Sequence, residues 1–246
     1  MEKPKSISVI IITLNESKRI GKLLTDLSQQ SYQHFEVIVS DSDSDDNTRE
    51  VANSYHDILP DLTVHNMQAR GVSRGRNTGA SLAKYERLLF LDADVHLDKH
   101  FLSKAIKFLD KKDLEVAGVY MNARKLPLHY CLGYSLFNVG LFATSYFFPT
   151  AVGACVFSTK QAHEKLGGFD EAITLCEDCD YVNRASKISK FRLLPLTFSF
   201  DPRRLQQDGF LGTGLIYLKA NIYRFFNGEM RNNEMDYQFN HYKEDN

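Results

Sequence analysis

The sequence lacks several features that would each indicate a class of protein. Its 30 Lys and Arg nearly balance its 31 Asp and Glu, which gives a formal net charge of -1 at pH 7. The strongly basic character of a nucleic-acid-binding domain is therefore absent. Only four cysteines occur in 246 residues, too few for a disulfide framework. Cys176 and Cys179 have the spacing of half a zinc site, but no second close Cys or His pair completes it. We expect reduced thiols and no nucleic-acid partner.

Long hydrophobic runs are also scarce. The first one, residues 7–12, is short and is followed by no small-residue cleavage site, so it is not typical of a signal peptide and we expect a cytoplasmic protein. Residues 130–159 contain no Asp, Glu, Lys, Arg or His and are long enough to cross a bilayer. Three glycines, Asn138 and Pro149 interrupt this segment, which favours a helix, a loop and a strand that are buried or interfacial.

The sequence does contain an apolar strand that ends in two carboxylates. Leu88–Leu91 is an uncharged run of the kind found inside parallel sheets. It continues into Asp92-Ala93-Asp94, where alternation along an extended chain places both acids on one side. Ligands of open α/β sheets bind at the carboxyl edge, and Mg²⁺ is held by one or two carboxylates together with substrate phosphates. The stretch therefore indicates a metal–phosphate site, although Asp-x-Asp at a strand end also occurs in solvated turns.

Apolar periodicity predicts strands and helices in alternation over the first half. The predicted strands are 7–13, 35–40, 62–65 and 87–95, and the predicted helices are 16–30, 48–55, 73–84 and 101–109. Asn15 is placed to cap the first helix. This alternation predicts a parallel sheet with right-handed crossovers, and the first 110 residues or so have the size of a nucleotide-binding half.

The second half is less regular. The predicted strands are 115–121, 151–158 and 191–200, the last interrupted by Pro195, and the predicted helices are 131–146, 159–166, 178–187 and 210–226. Ser158 or Thr159 should cap the 159–166 helix, and Gly167 should end it in a left-handed conformation. The expected fold class is α/β, with a single domain over residues 1–226, a mostly parallel central sheet flanked by helices, and a C-terminal helix. We expect a nucleotide-binding half to about residue 110, an acceptor half over about 111–205, a helix over 206–226 and a polar tail over 227–246.

Polar side chains follow three strands of the predicted sheet. They are Thr13, Asn15 and Glu16 after the first strand, Asp41 and Asp43 after the second, and Asp92 and Asp94 after the fourth. Because parallel strands end at one edge, the three clusters should converge there, although helix capping would also explain the first two. Residues 70–79 add three Arg and three Gly. Such a loop offers forked donors to phosphate or a base edge, and a solvated basic loop is the alternative.

Two further clusters lie in the second half. Glu177, Asp178 and Asp180 stand at a predicted helix start, where the macrodipole favours acids. They therefore either cap the helix or include a general base that faces an acceptor. Arg203 and Arg204 are adjacent on a predicted loop and could clamp a diphosphate.

Taken in order, these motifs resemble those of the family-two glycosyltransferases, which have the GT-A fold. The matching stretches, over about residues 6–205, are SVIIITLNES, VIVSDSDSDDNT, RGVSRGRNTGASLAKYERLLFLDADV, VGACVFSTKQAHEKLGGFDE and EDCDYVNRA. The resemblance implies an inverting, metal-dependent transfer of a sugar from a nucleotide-sugar donor, with UDP as the expected nucleotide. The acceptor would be a glycan or lipid-linked hydroxyl. The sequence departs from the pattern in the extra arginines before Asn77, the unusually apolar segment 131–146, and the Cys179 and Asp180 that follow the Glu177-Asp178 motif.

The resemblance also implies roles on the donor side. Thr13, Asn15 and Glu16 would line the nucleoside pocket. Asp41 would hydrogen-bond the base, with Asp43 beside it. Arg74 or Arg76, together with Asn77, would approach the base or the phosphates.

Metal, base and leaving-group roles follow in the same way. Asp92 would contact ribose or sugar, and Asp94, with Asp92 beside it, would bind Mn²⁺ or Mg²⁺ bridging the diphosphate. Asp178 would take the proton from the acceptor hydroxyl. Arg203 and Arg204 would help to hold the departing diphosphate.

Two other functions stay open at this point. A nucleotidyltransferase would normally show a glycine-rich signature with Lys or Arg near the first strand, but no glycine occurs before Gly21. A non-catalytic scaffold that binds nucleotide-sugars would often have lost the metal acid or the base, whereas Asp94 and Asp178 are both present.

Two apolar segments, 131–148 and 210–226, bear on localisation. Together they could seat the protein peripherally at the cytoplasmic membrane surface, near a lipid-linked acceptor. Helices that simply cover the sheet would have the same composition.

Overall fold

A computed structural model describes residues 5–59, 61–122, 127–201, 210–232 and 234–235. Arg203 and Arg204, which we expected to hold the diphosphate, lie outside the described residues. The described strands are β1 (Ile7–Thr13), β2 (Phe35–Asp41), β3 (Leu62–Asn66), β4 (Arg87–Asp92), β5 (Val95–His96), β6 (Val116–Met121), β7 (Cys155–Thr159) and β8 (Phe191–Phe200). The described helices are α1 (Ile20–Ser28), α2 (Thr48–Asn53), α3 (Val72–Leu82), α4 (Phe101–Lys112), α5 (Leu128–Thr144), α6 (Lys160–Leu166), α7 (Glu177–Ile188) and α8 (Phe210–Asn227).

The strands form one mixed sheet in the order β3-β2-β1-β4-β7-β6-β8-β5. The first four are mutually parallel, β7 is antiparallel to both of its neighbours, and β6 and β8 are parallel. The register pairs Thr13 with Asp41 and Ile12 with Asp92, so β1, β2 and β4 end together. The expected α/β fold is confirmed. β5 was not predicted, because two residues are too few to show a period.

The core has two layers, one on each face of the sheet. Alternation along β1 sends Val9 and Ile11 into the larger layer, with α1, α2 and α4, and Ile10 into the smaller one, with α3, α6 and α7. Phe90 of β4 anchors the smaller layer and packs edge-to-face on Phe169, with ring centroids 5.1 Å apart. Both faces are covered, which is why these strands are apolar throughout.

The first helix begins later than its periodicity suggested. α1 starts at Ile20 and has no side-chain cap, so the prediction that Asn15 caps a helix from Glu16 was wrong. Asn15 instead adopts a left-handed conformation with φ 55°. Its backbone N donates to Ser44 Oγ (2.9 Å) and its Oδ1 accepts from the backbone N of Asp45 (2.8 Å). Asn15 is therefore hydrogen-bonded to the loop that follows β2. A contact between residues so far apart in the sequence cannot be predicted from a local pattern.

Other boundaries moved less. β7 begins at Cys155 rather than at residue 151. Thr159 caps α6 by accepting from the backbone N of Ala162, and Gly167 ends it with φ 72°, as expected. Pro195 does not interrupt β8; the ladder to β6 instead has a register irregularity, which accommodates the missing N–H of proline.

The two apolar helices are only partly packed on the body. In α5, Tyr134 and Leu141 are buried, whereas Leu136 is 74% exposed. In α8, Ala220 is buried in a small cluster next to α7, whereas Phe226 is 76% exposed. Both helices therefore leave large apolar side chains exposed. Within the part of the chain that is described, no helix is both long enough and apolar enough to cross a bilayer.

α3 approaches the sheet very closely through glycine. A Cβ added at Gly79 would overlap the Cγ2 methyl of Ile10, and one added at Gly75 would lie 3.1 Å from Cγ2 of Ile12. Both glycines face β1, one helical turn apart. Their missing side chains allow α3 to lie low on the sheet.

We expect Gly79→Ala to destabilise the fold. Overpacking against β1 should cost about 1–3 kcal/mol, partly offset by the better helix propensity of alanine, about 1 kcal/mol. Urea unfolding followed by circular dichroism measures the difference. The matched control is Gly140→Ala in α5, where a Cβ meets nothing within 4 Å, so stability should be unchanged or raised. Equal stability of the two variants would contradict the close approach of α3.

Candidate active site

The first part of the site is a hydrogen-bond network where β1 and β2 end. Thr13 Oγ1 donates to Oδ2 of Asp41 at 2.7 Å. Ser44 donates to the same carboxylate from its backbone N (2.9 Å) and from Oγ (2.6 Å). Arg49 Nη1 lies 3.4 Å from Oδ1 of this fully buried acid. Because a buried carboxylate must be fully satisfied, Thr13 and Asp41 set the shape of the loop after β2.

The loop after β1 is tied to this network. The backbone N of Glu16 donates to Thr48 Oγ1 at 2.8 Å, so the start of α2 holds the loop. The Glu16 carboxylate accepts from Arg19 Nη1 at 3.1 Å, and Arg19 Nε lies 3.4 Å from the carboxylate of Asp201 at the end of β8. Asp43, by contrast, is exposed and left-handed with φ 60°. Together the two loops form a rigid wall with Asp43 at its rim.

The second part is the end of β4. Asp92 and Asp94 are both partly exposed, whereas Ala93 between them is buried. β4 ends at Asp92 and a turn follows at residues 93 and 94, so the predicted extended chain through residue 95 was wrong. The backbone N of Asp201 donates to the carbonyl of Asp94 at 3.2 Å, which fixes the chain beyond the strand. Carboxylate oxygens suit Mg²⁺ and Mn²⁺. The described residues contain no group of three or more acidic, His or Cys side chains that could hold a metal, so an ion here would also need phosphate oxygens.

Arg76 on α3 connects this edge to α7. Its side chain is 2% exposed. Nη1 donates to Glu177 Oε1 at 2.7 Å, and Nη2 donates to Asp92 Oδ1 at 3.1 Å and to the carbonyl of Gly153 at 3.2 Å. The Phe169 ring lies 5.1 Å from the guanidinium carbon. A buried guanidinium requires such pairing, so Arg76 holds the two acids in fixed positions.

Gly153 is where the chain passes closest to these groups. A Cβ at this position would lie 2.9 Å from Asp178 Oδ2 and 3.0 Å from Arg76 Nη2. No side chain fits there without displacing one of the two. Glycine at 153 therefore permits the Asp178 carboxylate and the Arg76 guanidinium to face the same piece of backbone.

The carboxyl group of Asp178 is the candidate general base. Burial, and then the neighbouring Glu177, raise its pKa to about 6, although Arg76, the backbone N–H of Cys179 and Arg224 act in the opposite direction. A base works best when its pKa lies near the operating pH. The residue as a whole is partly exposed.

The neighbouring acids have other partners. Glu177 receives the hydrogen bond from Arg76, and Asp180 pairs with Arg184 one turn later, Nη2 to Oδ2 at 2.7 Å. Arg184 also donates to the carbonyls of Leu166 and Gly168. Glu177 and Asp180 are thus each paired with an arginine. Among the three acids, Asp178 is the one for which the described residues show no such ion pair.

Arg74 and Asn77 on α3 contact the segment between α6 and α7. Asn77 Nδ2 donates to the carbonyl of Phe169 (2.9 Å), and its Oδ1 accepts from the backbone N of Phe169 (2.8 Å). Arg74 is half-exposed and pairs with Glu171, Nε to Oε2 at 3.0 Å. These two residues of α3 therefore contact the segment before α7, as Arg76 does through the Phe169 ring. None of the three lies among the loops that follow β1 and β2.

Two residues near Asp178 were not among the sequence candidates, namely Gly153 and Arg224. Arg224 on α8 is buried and bidentate to Glu229, at 2.6 and 2.8 Å, and its guanidinium carbon lies 5.4 Å from the Phe148 ring centroid. For Arg224, the signal available in the sequence was a cation inside the apolar run 210–226. For Gly153, the only signal was its position in the VGACVF stretch.

The chain is similar in sequence to known glycosyltransferases. The chain is 42% identical over 107 residues to a 4,4'-diaponeurosporenoate glycosyltransferase of Staphylococcus haemolyticus, covering 43% of this chain and 28% of that protein. It is 33% identical over 127 residues to the poly(ribitol-phosphate) beta-N-acetylglucosaminyltransferase TarS of Staphylococcus aureus, covering 49% and 22%. The chain thus matches less than a third of the length of these relatives.

Solved structures show the same fold. A mannosyltransferase of Pyrobaculum calidifontis, in complex with GDP-Man and Mn²⁺, superposes with a TM-score of 0.68 at 22% identity, covering 89% of this chain and 64% of that one. S. aureus TarS in complex with UDP-GlcNAc gives a TM-score of 0.64 at 23% identity, covering 79% and 58%. The GT-A-type domain that the motifs suggested is therefore present.

The family itself follows from the sequence profile of Glycosyl transferase family 2, which matches residues 8–132. This segment is about half of the chain and includes every candidate on the donor side from Thr13 to Asp94. The family assignment opposes the nucleotidyltransferase alternative. With the converging strand ends and the fold already described, it shows that the chain belongs to the family 2 glycosyltransferases.

Proposed function

We propose that the protein transfers a sugar from a nucleotide-sugar to an acceptor hydroxyl, with inversion at the anomeric carbon. The observation that carries this proposal is the placement of Asp178. It is the one acid of its motif without a structural arginine partner among the described residues, its pKa is raised to about 6, and Arg76 links its helix to Asp92 at the donor edge.

The donor belongs to the first half of the chain, up to about residue 110. The wall formed by Thr13, Asn15, Glu16, Asp41 and Asp43 would receive the nucleoside, and we take UDP as the expected nucleotide. The UDP-GlcNAc complex of TarS supports this choice, and the GDP-Man complex of the Pyrobaculum enzyme keeps GDP as the comparison ligand. Where Arg203 and Arg204 meet the diphosphate is outside the described residues.

A divalent cation fits the end of β4. Following the family resemblance, Asp94 would be the main protein ligand, with Asp92, whose Oδ1 accepts from Arg76, beside it. When bound, Mn²⁺ or Mg²⁺ stabilises the negative charge that develops on the leaving diphosphate. The Mn²⁺ in the Pyrobaculum complex supports the use of a divalent metal.

Asp178 would carry out the proton transfer. Its carboxylate accepts the proton of the acceptor hydroxyl as that oxygen attacks the anomeric carbon. The bond from this carbon to the phosphate oxygen breaks on the opposite side, and the diphosphate leaves with the electron pair. Arg76 would hold the Glu177 side chain in place next to the base through their hydrogen bond, so that the groups around Asp178 do not rearrange during the reaction.

The acceptor would meet the second half, over about residues 111–205, because α7 presents Asp178 there. The chemistry of the base suits any hydroxyl, on a glycan or on a lipid-linked sugar. A cytoplasmic protein that binds the membrane peripherally would be suited to the second of these.

Two substitutions should separate the metal role from the base role. We expect Asp94→Asn to abolish the Mn²⁺-dependent rise in melting temperature that UDP produces, because the cation loses its main protein ligand. Asp178→Asn should keep that rise and lose about 10²–10⁴-fold in turnover, the usual contribution of a positioned base. Thermal shift with UDP, GDP, CDP and TDP, with and without Mn²⁺, measures the first effect, and nucleotide release from UDP-sugars measures the second.

Asp98→Asn is the matched control, because Asp98 is an exposed acid shortly after Asp94 and should change neither measurement. An unchanged Mn²⁺ effect in Asp94→Asn would contradict the metal role. Binding of UDP without turnover of any nucleotide-sugar by the wild type would instead favour a non-catalytic scaffold.

The pH dependence tests the charge environment of Asp178. The base must be deprotonated, so kcat/KM should fall as pH decreases through about 6, the raised pKa of this carboxyl. Arg76 lowers the pKa of Asp178. Loss of its charge in Arg76→Met should therefore move the acid limb to higher pH, whereas Arg76→Lys should move it less. The measurement is kcat/KM against pH for the three proteins, with circular dichroism to show that each is folded. Identical acid limbs would contradict the proposed coupling.

A further inference from the structure

Two helices leave a continuous apolar surface exposed. We call the exposed large apolar side chains of residues 128–147 and 215–226 the apolar face; they include Leu132, Leu136, Phe142, Phe147, Ile222 and Phe226, each more than half exposed. The rings of Phe148 and Phe225 meet edge-to-face with centroids 5.4 Å apart, which joins the end of the α5 segment to α8. The two helices therefore contribute to a single surface.

This face is unusual for the outside of a protein domain. Residues 128–144 of α5 contain no Asp, Glu, Lys or Arg, and a helix that is apolar on all sides is normally buried. Here only Tyr134 and Leu141 are buried among the large apolar side chains of the helix. At about 1.5 Å per residue, α5 alone presents an apolar strip of roughly 25 Å. Apolar patches of this extent mark protein or membrane interaction sites.

Positive charge at the edge of the apolar face indicates whether this face contacts a protein or a membrane. The Arg192 guanidinium lies 5.0 Å from the ring centroid of the exposed Tyr146. Arg192 and Lys190 line a cavity of about 400 Å³ together with Tyr146, Phe147 and the hydroxyls of Ser145, Ser186 and Ser189, and no acid is among its lining residues. The serine hydroxyls donate to backbone carbonyls, so the cations are the groups that face outward. Cations next to exposed aromatic rings match phosphate headgroups above acyl chains. A protein partner would require no such cationic rim.

We propose that the apolar face lies in the interfacial layer of a bilayer that contains anionic phospholipid, with Lys190 and Arg192 at the headgroup phosphates. The opposite side of α8 packs next to the region around Asp178. The buried Arg224 of α8 neighbours Cys176 and Cys179, which flank Asp178. Membrane contact would therefore bring the base close to the bilayer surface. It follows, and this consequence rests on the proposed function, that the acceptor is lipid-linked.

Vesicle co-sedimentation tests the proposal without any activity assay. The wild type should sediment with vesicles of phosphatidylcholine mixed with phosphatidylglycerol, and less with phosphatidylcholine alone. The double variant Leu136→Gln, Phe142→Gln should lose about a hundredfold in partitioning, because two apolar side chains no longer enter the lipid. Arg192→Gln should lose about fivefold on the anionic vesicles and little on the neutral ones.

The matched control is Ile58→Gln, which changes an apolar side chain of similar exposure, 59%, outside the apolar face, and it should bind as the wild type does. Melting temperature with UDP and Mn²⁺ reports folding and the donor site for every variant, so failure of the proposed function and failure of membrane binding are distinguishable. The proposal is overturned if the wild type does not sediment with either vesicle, or if the double variant sediments equally well. It is also overturned if sedimentation equilibrium without lipid shows a self-association that the double variant abolishes, because the face would then be a contact between copies of this chain.

Discussion

The buried guanidinium of Arg76 is the interaction on which the candidate site depends. It holds Asp92 at the end of β4 and Glu177 at the start of α7, residues that are far apart along the chain. A charge with 2% exposure would be strongly destabilising without these partners. Removing either acid would leave the arginine underpaired, and removing the arginine would leave Glu177 buried beside Asp178. The positions of the carboxylates at the end of β4 and at the start of α7 are consequently linked through one side chain.

Close backbone packing makes this linkage possible. Gly75 and Gly79 allow α3 to lie directly on β1, which places Arg76 beneath the carboxyl edge of the sheet. Gly153 then lets the chain between α5 and β7 pass beside both Arg76 and Asp178. Each of these positions lacks a side chain because another group occupies the space. The glycines are as much a part of the site as the charged residues that they admit.

The parts of the molecule differ in how completely they are buried. The edge where β1, β2 and β4 end is built on strands covered on both faces, and its loops are fixed by buried hydrogen bonds such as that of Thr13 with Asp41. The helices α5 and α8 keep much of their apolar surface exposed. In the proposed function, the fixed edge would preorganise charge for the leaving group, and the apolar surface would suit a substrate that arrives from a lipid surface.

Local patterns in the sequence determined most of the strands and helices, and the convergence of Thr13, Asp41 and Asp92 at one edge, because strand periodicity and parallel order depend on neighbouring residues alone. They also determined the family, through motifs in a characteristic order. Only the tertiary structure decided that Asn15 joins a loop instead of capping α1, that Arg76 pairs with Glu177, and that Asp180 pairs with Arg184. These outcomes depend on partners that are distant in the sequence, or on which of several adjacent acids pairs with a given arginine. Neither kind of pairing produces a periodic pattern in the sequence.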